Sequence, residues 1–244
     1  ADSNSNYIKE ADISVLLDGE NPIESHMDSS QIIKIAKKFD VDAIHPGYGF
    51  LSENASFAQK CIDENILFVG PEPGSIELMG DKDKARILVK DLGIPLLPGY
   101  ENSKEKETKL LAEAKKIGFP VLLKASAGGG GKGMREVFKE SEFLSSLNEV
   151  KREAKNIFGD DRIIIEKYIE SGRHIEVQIL GDNSGNIFHL FERECTIQRR
   201  FQKIIEETPS KVIDDPLKGE MIECAIQIGK KLGYKSLGTV EFIY

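Results

Sequence analysis

The stretch PVLLKASAGGGGKGMREV, Pro120 to Val137, decides how the chain is read. Four consecutive glycines, Gly128 to Gly131, interrupt an apolar run, and Lys132 and Gly133 follow. Glycine loses more conformational freedom on folding than any other residue, so a packed core gives no reason for four together. A backbone that something must approach closely does. The Walker pattern G-x-x-x-x-G-K-[ST] is not met, because Ser126 stands where its first glycine belongs and Gly133 where its Ser or Thr belongs. The dinucleotide pattern G-x-G-x-x-G is met by Gly128, Gly130 and Gly133, but a glycine run satisfies it almost automatically. That pattern also needs a helix immediately afterwards, whereas MREVF reads as a strand. What remains is strand, glycine turn, strand. Such a hairpin tip either lays bare N–H groups on phosphate oxygens or is a flexible turn of linker composition. The flanking residues have to decide.

The chain of 244 residues suffices for one large or two smaller domains. Its 40% hydrophobic and 30% charged content is that of a globular protein, and a net charge of −8 argues against a nucleic-acid footprint. Cys61, Cys195 and Cys224 are odd in number and far apart, which suggests neither a disulfide framework nor a zinc site and fits a reducing, intracellular compartment. No apolar run approaches membrane-spanning length, and no signal peptide is expected. ADSNSNYIKEAD opens without a complete element and GTVEFIY stops on strand residues, so both ends read as cut.

Along the chain, Asp28 to Ser30 cap a helix with Ile32, Ile35, Ala36 and Phe39 on one face. VDAIHPG is a strand. The next helix buries Phe57, Ala58, Cys61 and Ile62, and ILFVGP is a second, buried strand. This alternation predicts the remainder of a doubly wound α/β domain with a parallel sheet over residues 1 to about 78. Residues 79–244 are expected to be α+β, with a lid subdomain at about 96–168. There, Asp81 caps a helix that Gly93 ends. KLLAEAKKIG is helical, and a long helix from about Glu140 to Phe158 carries Phe143, Leu144, Leu147, Val150, Ala154 and Ile157 on one side. RIIIEKYI is a strand, and HIEVQILG to FERECT is a hairpin turning at Asp182 to Asn186. A last helix places Leu217, Met221, Ala225, Ile228 and Leu232 at helical spacing before Gly233.

Several polar residues sit where a core would not put them. Lys124 ends an apolar strand directly before the glycines, where it can act as a point charge on phosphate. Lys82 lies just inside its helix cap. Glu166 and Lys167 end a β-branched run; a carboxylate beside a free backbone edge suits an adenine amine and a ribose hydroxyl, or is an ordinary polar strand end. His174, Glu176 and Gln178 lie two apart and share one strand face, which is either solvated or lines a polar cavity. Glu192, Arg193, Glu194, Gln198, Arg199, Arg200 and Lys203 form a run of both signs expected to face it. Glu241, alone among Val240, Phe242 and Ile243, is placed as a magnesium ligand. No nucleophilic triad is supported by spacing, and Cys195 and Cys224 read as core or spectator thiols.

HPGYGFLSENASFA, GDKDKAR, LLKASAGGGGKGMR, IEKYIESGRHIEVQILGD, FERECTIQRRFQKIIEE and GTVEF, in this order, resemble successive motifs of biotin carboxylase, the ATP-grasp component of biotin-dependent carboxylases. The resemblance runs from about Ala11 to the last residue. It implies that ATP, bicarbonate and protein-bound biotin give carboxybiotin, ADP and phosphate through carboxyphosphate. By matching position, Lys82 and Lys124 contact the nucleotide. Gly130 and Gly131 belong to the phosphate lid, Glu166, Lys167, Tyr168 and Ile169 hold adenine and ribose, and His174 faces the nucleotide. Glu241 binds Mg2+ (or Mn2+), and Lys203 stands near bicarbonate with Gln198 close by. The resemblance further implies a biotin carboxyl carrier, a carboxyltransferase component, a homo-oligomeric parent and a cytoplasmic or mitochondrial-matrix location, with neither nucleic acid nor membrane as partner. It also implies that the second magnesium carboxylate and the bicarbonate arginine of the family lie past Tyr244, so that the isolated chain is expected to be inactive. Another ATP-grasp carboxylate–amine ligase, or a nucleotide-binding module without turnover, would use the same lid and lysines.

Phe201 departs from the pattern, standing where many family members carry a nucleotide-facing histidine. A neutral hydrogen bond is worth roughly 0.5–1.5 kcal/mol net. In the full-length protein, Phe201→His is therefore expected to change KM for ATP only modestly and leave kcat nearly unchanged. Lys203→Ala, acting where charge develops, is expected to lower kcat by roughly two to three orders of magnitude. Steady-state kinetics of the two variants check the assignment of this segment, and the reverse pattern would remove it from the site.

Overall fold

The computed structural model describes residues 5–101, 105–127, 133–199 and 202–244, arranged as two compact units, Ala1–Pro73 and Gly74–Tyr244. Gly128 to Lys132, with Gly130 and Gly131, and also Arg200 and Phe201, lie outside the described residues.

The first unit holds α1 (Asn6–Glu10), α2 (Ser29–Lys38), β1 (Ala43–Ile44), α3 (Ala55–Asp63) and β2 (Leu67–Phe68). Asp28 caps α2 by accepting from the N–H groups of Ser30 and Gln31, and Asn54 caps α3 through Phe57 N–H. β1 and β2 pair in parallel, Ala43 with Leu67 and Ile44 with Phe68, across α3, giving the expected βαβ unit. The buried stripes are narrower than their periodicity suggests. On α2 the buried residues are Ile33 and Ala36, while Phe39 is exposed at the C-cap; on α3, Phe57, Ala58 and Cys61 are buried and Ile62 is exposed. β2 is not buried on both faces, since Leu67 is exposed and only Phe68 turns inward.

The second unit begins with α4 (Pro73–Gly80) and α5 (Lys82–Asp91). Next come β3 (Gly99–Tyr100), α6 (Glu107–Ile117), β4 (Val121–Ala125), β5 (Met134–Val137), α7 (Phe143–Phe158) and β6 (Ile163–Lys167). The strands form an antiparallel sheet in the order β3-β6-β4-β5. β4 and β5 pair from Val121–Val137 to Lys124–Met134, so the glycine run joins two adjacent antiparallel strands, as the sequence predicts. Alternation along the strands separates two faces. Val121, Leu123, Ala125, Val137, Ile163 and Ile165 pack against α6 and α7 in one core. Lys124 and Glu166 point from the other face.

The chain continues through β7 (His174–Gly181), β8 (Ile187–Glu194), β9 (Gln198–Arg199), β10 (Gln202–Lys203), α8 (Asp215–Leu232) and β11 (Ser236–Ile243). β11, β7 and β8 form a second antiparallel sheet, and β9 pairs with β10. Ile175, Val177, Ile179 and Ile187 on one face of the sheet pack with Met221 and Ala225 of α8. Gly233, left-handed at φ 57°, ends α8. Asp182 closes the β7–β8 turn, accepting from the N–H groups of Ser184 and Asn186.

On α7 the buried residues are Phe143, Leu147, Val150 and Ala154, whereas Leu144 and Ile157 are exposed. A helix lying on one sheet buries a single stripe, and residues at its flanks stay wet. Leu147→Ala is therefore expected to cost about 2–5 kcal/mol of stability, and Ile157→Ala under about 0.5 kcal/mol. Urea denaturation of the two variants measures this, and similar midpoints would contradict the placement of the stripe.

Candidate functional site

Two clusters of opposite charges occupy the faces that the cores leave open, both within the second unit. The first is built from α5, β4 and β6. Asp81 caps α5 by accepting from Asp83 and Lys84 N–H. Arg162 fixes that end of the helix, reaching Asp81 at 3.2 Å, Asp83 at 3.3 Å and Asp160 at 2.8 Å. Lys82 and Arg86, one helical turn apart and on the same side of α5, both reach the sheet. Lys82 Nζ donates to Ala125 O at 3.2 Å, and Arg86 donates to Glu166 Oε1 at 2.6 Å. Burial, and then the charge of Lys124, push the Lys82 ammonium below its ordinary value.

Glu166 is the centre of this cluster. In register it opposes Leu122, which places Lys124, two residues on, at its diagonal on the same face. Lys124 Nζ pairs with Glu166 Oε2 while Arg86 holds Oε1. Burial pushes this carboxyl up, but Lys124 and Arg86 outweigh it and hold the group below its ordinary value. Arg86 is a residue that the sequence reading missed. The signal was available, since its spacing from Lys82 aligns two cations on a short helix.

Lys167 goes the other way from Glu166. Its ammonium donates to Gly118 O at 2.9 Å and Phe119 O at 3.1 Å, so its side chain braces the α6–β4 connection and only its backbone shares the edge with Glu166. Tyr168 packs edge-on against Phe138, ring centroids 5.9 Å apart, and Ile169 is exposed just past the strand.

The second cluster lies on the open face of β11-β7-β8. Glu241, Glu176 and Arg193 form one cross-strand row. Two carboxylates directly opposite each other repel, and Lys203 relieves this by pairing with Glu176 Oε1 and, at 2.8 Å, with Glu241 Oε1. Arg193 holds the other oxygen of Glu176 at 2.8 Å. Burial lowers Lys203, but Glu176 and Glu241 reverse this and hold its proton above the ordinary lysine value. Glu176 is 1% exposed, so the face bearing His174, Glu176 and Gln178 is polar and paired there, not solvated. Glu241 keeps a 61% exposed carboxylate.

Gln198 is the register partner of Lys203 across β9–β10, and its amide donates to Cys195 O at 2.8 Å. His174 opens β7 with its N–H on Thr196 Oγ1 at 3.1 Å. Burial lowers its imidazole, and the charges of Glu241, Glu176, Lys203 and Lys124 all act on it, so it senses both clusters.

The expected mixed-charge run divides between two faces. Arg193 and Lys203 join Glu176, but Glu192 and Glu194 turn to the opposite side. Glu192, 1% exposed, pairs with Lys218 of α8 at 3.2 Å and accepts from Ser210 N–H at 3.0 Å. Glu194 pairs with Arg173 at 2.8 Å. Strand alternation, not composition, sorts these residues. Cys195 is buried and its thiol is pushed up to about 12 by burial and Glu176, which makes it a core thiol as expected.

Among the described residues no group of three or more His, Cys, Asp or Glu side chains is arranged to hold a metal ion on its own. The donor chemistry still fits magnesium, which takes oxygen from one or two carboxylates and completes its shell with water and phosphate. Glu241 offers such an oxygen. No helix among the described residues is long and apolar enough to cross a membrane.

Residues 1–76 match the family model for the biotin carboxylase N-terminal domain, and residues 81–244 that for the carbamoyl-phosphate synthase L chain, ATP binding domain. The chain is 43% identical over its whole length to biotin carboxylase 1 of Bacillus subtilis and covers 54% of that protein. It superposes with a TM-score of 0.96 and 41% identity on the crystal structure of a Campylobacter jejuni biotin carboxylase–beta-gamma-ATP complex, over 99% of this chain and 54% of the other. The biotin carboxylase domain of Hydrogenobacter thermophilus 2-oxoglutarate carboxylase, solved with MgADP and bicarbonate, gives a TM-score of 0.95 at 41% identity over 99% of this chain and 53% of that one. The chain thus spans about half the length of these relatives. With both family models matched in order and the fold shared at this identity, the chain belongs to the biotin carboxylase family.

Proposed function

We propose that the polypeptide to which this chain belongs uses ATP and bicarbonate to carboxylate biotin carried on a protein, releasing ADP and phosphate. The observation that carries this reading is the pair of cation–carboxylate clusters on the open faces of the two antiparallel sheets. Lys82 and Lys124 supply positive charge beside the glycine hairpin, and Lys203 supplies it beside the exposed carboxylate of Glu241. The match of residues 1–76 to the biotin carboxylase N-terminal domain favours this reading over a carboxylate–amine ligase, whose ATP-binding half would look the same.

In this reading Lys82 and Lys124 hold the phosphates, and the backbone of Gly130 and Gly131 covers them. Glu166 and the backbone from Lys167 to Ile169 border the adenine and ribose, and His174 faces the nucleotide. Lys203, with Gln198 opposite it, orients bicarbonate for attack on the γ-phosphoryl group. Transfer of that group demands alignment and charge neutralisation more than covalent help. Magnesium, held by Glu241, would neutralise phosphate charge when bound. The raised proton affinity of Lys203 keeps it cationic throughout the neutral range, which suits a residue that must hold an anion. Carboxyphosphate must also be kept from water until biotin arrives. A biotin carboxyl carrier and a carboxyltransferase component follow as partners, with the location cytoplasmic or in the mitochondrial matrix and the parent a homo-oligomer.

The full-length protein is expected to transfer labelled bicarbonate to free biotin, and to release phosphate from ATP in a reaction that requires bicarbonate and is stimulated by biotin. Lys124→Ala should raise KM for ATP by about tenfold or more, as losing a charged phosphate contact does. ATP turnover indifferent to bicarbonate, or dependent on an amine acceptor, would contradict the proposal.

A further inference from the structure

Glu166 carries two cations where one would neutralise it, and the two are seated differently. The Arg86 guanidinium is held by Glu166 Oε1 at 2.6 Å, Glu101 Oε1 at 2.8 Å and Leu97 O at 2.9 Å. β3 is bare where the guanidinium crosses it, since a Cβ on Gly99 would come within 2.5 Å of an Arg86 nitrogen. The seat is built around a planar fork, which arginine fills and lysine does not. Lys124 reaches the same carboxylate from the more open side, its side chain 24% exposed against 10% for Arg86. One cation is fixed and the other is able to leave.

We infer that Arg86 is a positioning residue acting through Glu166. It keeps the carboxylate neutralised and oriented, so that Lys124 can transfer to a phosphate oxygen without leaving a buried charge unpaired. The inference rests on the ATP reading above. A buried carboxylate stripped of its partner is costly, so without Arg86 the nucleotide would have to compete with the whole of the Lys124–Glu166 attraction. With Arg86 in place it competes with only part of it.

The test uses the full-length protein with Arg86→Met and Arg86→Lys. The readouts are kcat and KM for ATP and bicarbonate, MgADP affinity by calorimetry, and the melting temperature. Arg86→Met is expected to raise KM for ATP and weaken MgADP binding by about tenfold or more, the loss expected when one partner of a buried pair is removed, with KM for bicarbonate unchanged. Arg86→Lys, which retains the charge but not the fork, should recover part of this. In a Glu166→Gln background, where no carboxylate is left to strand, Arg86→Met should change MgADP affinity by less than about twofold. An undiminished loss in that background would overturn the inference. So would a fall in kcat alone, with both KM values and MgADP affinity intact, which marks a merely structural arginine. If Arg86→Met does not fold, Arg86→Lys decides: weakened MgADP binding at an unchanged melting temperature supports the role, and unchanged binding overturns it. A parent protein that binds MgADP but carboxylates no biotin would overturn the functional reading and not this one. Failure to bind MgADP would overturn both.

Discussion

The charge on Glu166 organises the open face of the β3-β6-β4-β5 sheet in the second unit. The carboxylate lies on the sheet face turned away from the α6–α7 core, where apolar neighbours cannot solvate it, and it is stable there because Arg86 and Lys124 each take one oxygen. Through Arg86 it ties α5 to β6 and, by way of Leu97 O, to the approach to β3. Through Lys124 it sets a cation at the end of β4, where the glycine run begins. An ion pair of this kind adds little net stability over an apolar replacement. In the proposed reading its value lies in placing a lysine that can move to a phosphate oxygen.

The second cluster repeats the same physics with the signs redistributed. Glu176 and Glu241 face each other across β7 and β11, an arrangement that is unfavourable until Lys203 bridges them. Arg193 satisfies the remaining oxygen of the buried partner and leaves Glu241 as the accessible one. One carboxylate is held as structure, and in the proposed reading its neighbour is the magnesium ligand.

Much of this is legible in the sequence. The glycine run between two strands, the caps at Asp28 and Asp81, and the Asp182 turn follow from local rules that tertiary structure does not override. Lys124 and Glu241 stand out because charges interrupt strand patterns that should be apolar, and Lys203 is singled out only by the family motif. What is not legible depends on partners distant in the chain. Ile62, Leu144 and Ile157 fit the helical period, yet they stay exposed because the width of a buried stripe is set by the surface opposite. Glu192 reads as part of a charged run facing His174, Glu176 and Gln178, but Lys218 of α8 captures it on the opposite face. Arg86 aligns with Lys82 by spacing alone, but its seat is defined by Gly99 and Glu166, remote in sequence.

The most direct measurement is an experimental structure of the full-length protein with MgADP bound. The account predicts that Lys124 Nζ leaves Glu166 for a phosphate oxygen while the Arg86–Glu166 contact persists unaltered. A complex in which Lys124 remains on Glu166 with the phosphates held elsewhere, or in which Arg86 moves away together with Lys124, would contradict it.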